Sequence, residues 1–327
     1  MLMDQIRRTI VVSLLLVGFV LAPFMEQTGR ALDFPTKPIT MLCGFGAGGI
    51  TDLTSRALAE AARKYFGQPV IVENVTGGGG SVALGRICEK KPDGYFLAPD
   101  GPKMRLTSLL TNLPFDVSKD FTQVIQVWGN PFGILVRSDS PFKTLKELIE
   151  YAKANPGKLK HMSAGIGTGP FIIMTELEGA TGTKFIHIPG KSDQEASTSL
   201  LGGHVDMLAG AMGSCTPLVQ AGKLRLLATL GEERIKTFSD VPTVKETGYN
   251  IVYVAPLGMV GPKGMPGEIV KALHDGFKKA MEDPIFVSHC DRFGVPILYK
   301  DTEAYRKYWA DQIVYWENFY TKFIKKK

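Results

Sequence analysis

The sequence predicts an α/β fold of two lobes, each a sheet flanked by helices, joined by two crossover strands. Three observations predict it. Strand-length apolar runs alternate with helical apolar periodicity, the mark of βαβ units and parallel strands. A strand–glycine turn–helix device occurs twice, at residues 38–56 and 161–179. Two longer apolar stretches, Val124–Ser138 and Ile251–Val260, bracket the second device and read as the passage out of one lobe and the return. At 327 residues the chain is long enough for two cores.

The first unit opens with Pro38–Cys43, an apolar run of strand length. The turn Gly44–Gly49, with four glycines, follows, and then a helix over Thr51–Tyr65 with Leu53, Ala57 and Ala61 on one face. Gln68–Glu73 is the next strand, Thr76–Ser81 a loop with four consecutive glycines, Val82–Glu89 a helix and Tyr95–Ala98 a strand. In parallel sheets ligands bind beyond the carboxyl ends of the strands, so the turns at 44–49, 76–81 and 99–103 are expected on one rim. Asn112–Gln123 reads as a connecting loop. Val124–Ser138 is expected to be broken by Pro131 and Gly133.

In the second lobe, Ser140–Ala154 is an amphipathic helix ended by Asn155-Pro156-Gly157. His161–Ala164 is a strand, Ser163–Gly169 the second glycine turn and Phe171–Gly179 a helix. Phe185–Ile188, Val205–Ala209 and Leu224–Leu230 read as strands, and Ser192 to Glu195 opens a helix as a capping box. After the return crossing come a helix over Pro266–Met281 and a final aromatic helix over Thr302–Ile324, whose rings read as packing surface.

The N-terminus has the order of a secretory signal peptide. Arg7 and Arg8 precede an apolar stretch from Ile10 to Phe24, and Gly29 and Ala31 sit at −3 and −1 of a cut before Leu32. The apolar run is shorter than the ~20 residues of a membrane span. The expected division is therefore a signal peptide at 1–31, one lobe at 32–131 and 255–327, and a second at 132–254, in an exported, periplasmic protein. The net charge of +6 is a mild bias toward anionic ligands and does not require nucleic acid. Cys43, Cys88, Cys215 and Cys290 form no CxxC pair and read as buried free thiols.

A strand that turns into a helix gathers unpaired N–H groups at the positive end of the helix dipole, which is a ready anion site. Two such turns, one per lobe, suit a negatively charged solute. The run Gly44 to Gly49 also matches G-x-G-x-x-G, with Glu73 near the place of a ribose-binding acid, so a dinucleotide enzyme is an alternative. An exported chain, Asp52 in the first helical turn and no following catalytic constellation count against it. His161, His187, His204, His274 and His289 show no metal-ligand spacing. No enzyme activity, catalytic residue, metal or cofactor is expected. Asp100, Lys103 and Arg105 follow the third turn and are candidates for the far end of a ligand.

The runs FPTKPITMLCGFGAGGITD, GQPVIVENVTGGGGS, KPDGYFL, LPFDVSKDF, NPGKLKHMSAGIGTGP, LLGGHVDML, AGKLRLLAT and DVPTVKETGY occur in that order over nearly the whole mature chain. The ordered set resembles the substrate-binding proteins of tripartite tricarboxylate transporters, the Bug family. That resemblance implies a periplasmic-binding-protein-like (type II) Venus flytrap. It implies a monomer that captures a small organic carboxylate between its lobes and delivers it to an ion-driven membrane permease. A component presenting ligand to a membrane receptor kinase is the alternative of the same fold. By the family's motif, the ligand is gripped by Phe45, Gly48, Gly49, Ile50, Thr51 and Asp52 of the first loop and by Ser163, Ala164, Gly165, Gly167 and Thr168 of the second. Asp100 and Lys103 complete the expected set. The chain departs from the family in having no proline in its first loop, Gly210 where many relatives have Asp, and Pro256 where many have Trp.

Overall fold

A computed structural model describes residues 33–163, 165, 167–190 and 193–325. The expected signal peptide, Ala164 and the expected cap residue Ser192 lie outside the described residues.

The first glycine device folds as expected. β1 (Ile39–Cys43) runs into a glycine turn and then α1 (Ile50–Phe66). β2 (Val70–Asn74) and β3 (Phe96–Asp100) pair with β1 in parallel, one on each side. The crossovers are α1 and, after a short 3₁₀ turn at Gly78–Gly80, α2 (Ser81–Cys88). α3 (Met104–Leu110) follows β3, in a stretch where the sequence showed no helical pattern.

β4 (Phe121–Arg137) is the long crossing. It is one continuous strand of 17 residues, and neither Pro131 nor Gly133 interrupts it. Its first part is flanked by β9 (Val254–Pro262) and β10 (Ile297–Lys300), both antiparallel. Its last part is flanked by β7 (Leu208–Ala211) and β8 (Leu224–Thr229), also antiparallel. The exchange of partners falls between Pro131, opposite Val254, and Phe132, opposite Ala211. β9 continues the sheet to β3, so parallel and antiparallel pairing share one mixed sheet of order β10-β4-β9-β3-β1-β2. Further along the chain, β5 (Lys160–Ser163) and β6 (Ile186–Pro189) form a separate parallel pair.

Helices cover these strands. α4 (Leu145–Ala154) begins five residues later than expected because Thr144 is its N-cap and Glu147 completes a capping box. α5 (Gly169–Thr181), α6 (Asp193–Leu201) and α7 (Met212–Gln220) complete the middle of the chain. α8 (Gly267–Glu282) and α9 (Pro284–Phe293) lie against α1, and α10 (Thr302–Phe319) ends in a π-turn at Tyr320–Ile324. α7, α9 and β10 have short or sparse apolar patterns and were not expected.

Apolar side chains gather on both sides of the partner exchange. Met41, Leu58, Val127, Trp128, Leu273 and Phe277 belong to one buried cluster, and Phe132, Ile134, Ile149, Ile173, Leu177 and Leu227 to another. α10 serves both ends of the molecule. Tyr305 and Trp309 pack beside Met104 and Val260, whereas Trp316 and Phe319 join the cluster of Phe132 and Ile173. All four cysteines are free; Cys43, Cys215 and Cys290 are buried, but Cys88 is exposed, contrary to expectation, because it closes α2 at the surface.

Candidate ligand-binding site

The first glycine loop is held in shape by a buried carboxylate. Asp52, in the first turn of α1, accepts from the Gly48 N–H at 2.9 Å and from the Asn74 amide at 2.8 Å. It also pairs with Arg56 at 2.9 Å. Asn74 donates as well to the carbonyl of Phe45 at 3.0 Å, so one side chain at the end of β2 ties both ends of the loop. Gly48 has φ of 79°, a conformation that a side chain would strain. Burial alone would lift the Asp52 carboxyl; Arg56, the Gly48 N–H and Asn74 more than offset it and hold the group below its ordinary range. Asp52 therefore shapes the loop from within.

What the loop presents outward is backbone. Gly49 caps α1 without a side-chain bond. The N–H groups of Ile50, Thr51 and Asp52 have no acceptor among the described residues; the first bond of the helix is Leu53 N–H to the Gly49 carbonyl. Thr51 adds a hydroxyl with a defined direction. The Trp128 indole N–H donates to Asn130 Oδ1 at 3.1 Å, and the Asn130 amide donates to Thr51 Oγ1 at 2.8 Å. Because Thr51 receives that proton, its own hydrogen is left to donate.

The second device is built alike. Ser163 ends β5, Thr168 precedes α5, and the Gly169 and Phe171 N–H groups have no acceptor among the described residues. Thr168 Oγ1 donates to the Gly165 carbonyl at 2.7 Å, and Gly165 N–H donates to Ser163 Oγ at 3.2 Å. Ser163 Oγ also lies 2.8 Å from His187 Nε2. Both hydroxyls expected to reach a ligand are thus used inside the loop. The register of β5 on β6 places His161 beside His187, and their rings stack at 5.0 Å. Burial, with the neighbouring His187, pushes His161 down to about 3, so its imidazole is neutral. Among the described residues no group of three His, Cys, Asp or Glu is placed to hold a metal.

β4 brings the two devices together. Asn130 holds Thr51, and the Phe132 ring lies 2.8 Å from the position of a Cβ on Gly169. Residues two apart on a strand share a face, about 7 Å apart. The starts of α1 and α5 are therefore anchored to neighbouring positions on one face of one strand.

At the rim, a Cβ on Gly44 would stand 2.6 Å from Gly80 Cα, and one on Gly80 would stand 3.0 Å from Asp100 Oδ2 and 3.7 Å from the Phe45 ring. The expected common rim of the three turns is present. Asp100 is buried, and burial raises its carboxyl to about 6, against the pull of the Gly101 N–H and Lys103. Lys103 is half-buried; desolvation lowers it, opposed by Asp100 and by Asp193 of α6. Arg105 is engaged elsewhere, donating through Nε at 3.0 Å to Glu317 of α10, which removes it from the candidates for the ligand's far end. Glu73 is exposed, and its neighbour Asn74, not Glu73, is the side chain bonded to the loop. A Cβ on Gly210 would lie 2.6 Å from Cys215 Sγ, so an Asp at that position has no room.

Sequence reasoning missed Asn74, Asn130 and His187. Asn74 followed Glu73 at a strand end and was overlooked for the charged neighbour; the other two are placed by strand pairing and leave no local signal.

The family model of the tripartite tricarboxylate transporter family receptor matches residues 54–324. The UPF0065 protein in the gbd 5′ region of Cupriavidus necator is 42% identical over 289 residues, covering 88% of each chain. The periplasmic binding protein BugD is similar in structure, with a TM-score of 0.80 at 31% identity, covering 88% of this chain and 98% of its own. MatC of Rhodopseudomonas palustris with bound malate has a TM-score of 0.77 at 26% identity, covering 87% and 99%.

Proposed function

The chain belongs to the tripartite tricarboxylate transporter receptor family, and from that premise we propose that it captures a small organic carboxylate between the starts of α1 and α5. Residues 32–131 and 255–327 act as one lobe and 132–254 as the other, closing about β4 and β9. The protein works as a periplasmic monomer after removal of residues 1–31 and passes its ligand to the permease subunits of an ion-driven transporter. It is a binding protein and not an enzyme.

The observation that carries this reading is the pair of unpaired helix starts on one face of β4. Backbone N–H groups at helix N-termini suit an anion by hydrogen bonding and by dipole. The ligand carboxylate is bound by the N–H groups of Ile50 to Asp52, by the Thr51 hydroxyl and by the second loop from Ser163 to Thr168. Phe45 and Gly48 shape the first wall, and Asp52 fixes that wall. Lys103, moderated by Asp100, reads the far end. The malate held by MatC is consistent with a ligand of this size.

A thermal-shift screen against L-malate, succinate, adipate, citrate, benzoate and L-glutamate tests the reading, since a ligand of the folded state raises the melting temperature. Calorimetric titration of the best hit into Thr51→Val follows. One lost hydrogen bond to a charged group, about 1.5–3 kcal/mol, predicts an affinity loss of roughly 10- to 150-fold. Unchanged affinity in Thr51→Val places the carboxylate elsewhere.

A further inference from the structure

The geometry points to Gly213 as the residue on which closure depends: its missing side chain is the socket that Ile50 enters when the lobes meet. This inference rests on the closing motion proposed above and adds a residue to it.

Ile50 is the first residue of α1, directly after the first glycine loop, and is buried. Gly213 is the second residue of α7, in the other proposed lobe, and is also buried. A Cβ on Gly213 would lie 2.3 Å from Ile50 Cβ, 2.5 Å from Cγ1 and 2.6 Å from Cδ1. Carbon atoms prefer about 3.5–4.0 Å. The closest of the three, Cβ, is bonded to the backbone, so no rotamer of Ile50 relieves the clash. Only separation of α1 from α7 by roughly 1 Å or more does so.

Nothing local calls for glycine here. Gly213 lies inside a helix and its φ is not positive. Alanine is the better helix former by about 1 kcal/mol. Space across the seam is the remaining reason. Elsewhere on the seam, Lys236 pairs with Asp291 at 3.3 Å, but both side chains are largely exposed, and such pairs contribute little. The Ile50–Gly213 contact is buried, and it abuts the N–H groups proposed to hold the carboxylate.

The test is a cycle of four proteins: wild type, Gly213→Ala, Ile50→Gly and the double variant. Ile50→Ala does not serve, because it keeps the clashing Cβ. Affinity for L-malate is read by calorimetry, and the radius of gyration by small-angle scattering, with and without L-malate. We expect Gly213→Ala to weaken binding at least tenfold and to contract less on addition of L-malate, while melting no lower than wild type without ligand. In the Ile50→Gly background the same change has no further effect. Equal affinity and equal contraction in wild type and Gly213→Ala overturn the inference, as does an equal loss in both backgrounds. If wild type binds no L-malate, the ligand-free radii decide. Expansion in Gly213→Ala that is absent in the Ile50→Gly background supports the socket, and four equal radii overturn it. The carboxylate reading is judged separately, by the wider panel.

Discussion

Replacing Asp52 by Asn keeps the shape of the side chain and removes its charge. In the native loop the carboxylate, only 2% exposed, accepts from the Gly48 N–H and the Asn74 amide and pairs with Arg56. An Asn at this position keeps one acceptor and turns an amide toward a donor. One charge-assisted bond is then lost and one buried donor left without a partner, which together costs roughly 2–4 kcal/mol. The Arg56 pair adds little, since that side chain is half exposed. With an unfolding entropy of about 2.1 cal/mol/K per residue, a loss near 3 kcal/mol lowers the melting temperature by roughly 5 °C in a chain of this size. The effect depends on pH with a definite sign. The folded carboxyl titrates below its unfolded value, so its contribution is complete above the ordinary carboxylate range and is lost as the pH falls through the lowered value. Wild type and Asp52→Asn should thus differ most near neutrality and converge in acid. Differential scanning fluorimetry from pH 7 downward measures this. Equal melting temperatures at pH 7, or a gap that widens in acid, would refute the claim that Asp52 is the strut of the first loop.

Asn130→Leu leaves the Trp128 N–H without its acceptor and the Thr51 hydroxyl without its orienting donor. It should cost about 1–3 kcal/mol in urea denaturation and also weaken ligand binding. Asp100 has a raised folded pKa of about 6, so its neutral form favours the fold most below pH 4, and that stability is lost as the pH rises through 6. Asp100→Asn should flatten this slope in denaturation series from pH 4 to 8. Arg105→Gln breaks a partly exposed pair with Glu317 and should change stability by less than about 1 kcal/mol, with affinity for the best carboxylate unaltered in calorimetry.

The local part of this architecture could be read from residue order. Strand, glycine turn and amphipathic helix are contiguous, so β1 with α1 and β5 with α5 were visible in composition and periodicity. The crossing was visible too, although Pro131 was given too much weight. Its φ suits an extended strand, and the residue lies where β4 exchanges one set of partners for another, so the ladder loses little by its missing N–H. Illegible were residues whose roles come from register. Asn130 meets Thr51 across 79 positions, His187 meets Ser163 across 24, and Arg105 meets Glu317 across 212. The hydroxyls of Ser163 and Thr168 illustrate the same limit. Their type suggested ligand donors, but the turn around Gly165 brings its carbonyl within reach and engages both.

The cations near the starts of α1 and α5 bear on how a solute could be held there. Arg56 is engaged by Asp52 and Asn74, Arg105 by Glu317, and Lys103 is lowered by desolvation between Asp100 and Asp193. Among the described residues no free arginine fork is left at the starts of α1 and α5. The proposed attraction for a carboxylate then comes mainly from N–H groups fixed in direction by their helices, which need little reorganisation on binding. Such donors act within the first turn and have little reach into solvent, so affinity should depend on lobes that enclose the ligand and exclude water. That dependence is why a single methyl group at Gly213, outside the proposed ligand contacts, is expected to matter as much as the Thr51 hydroxyl, which is proposed to hold the ligand.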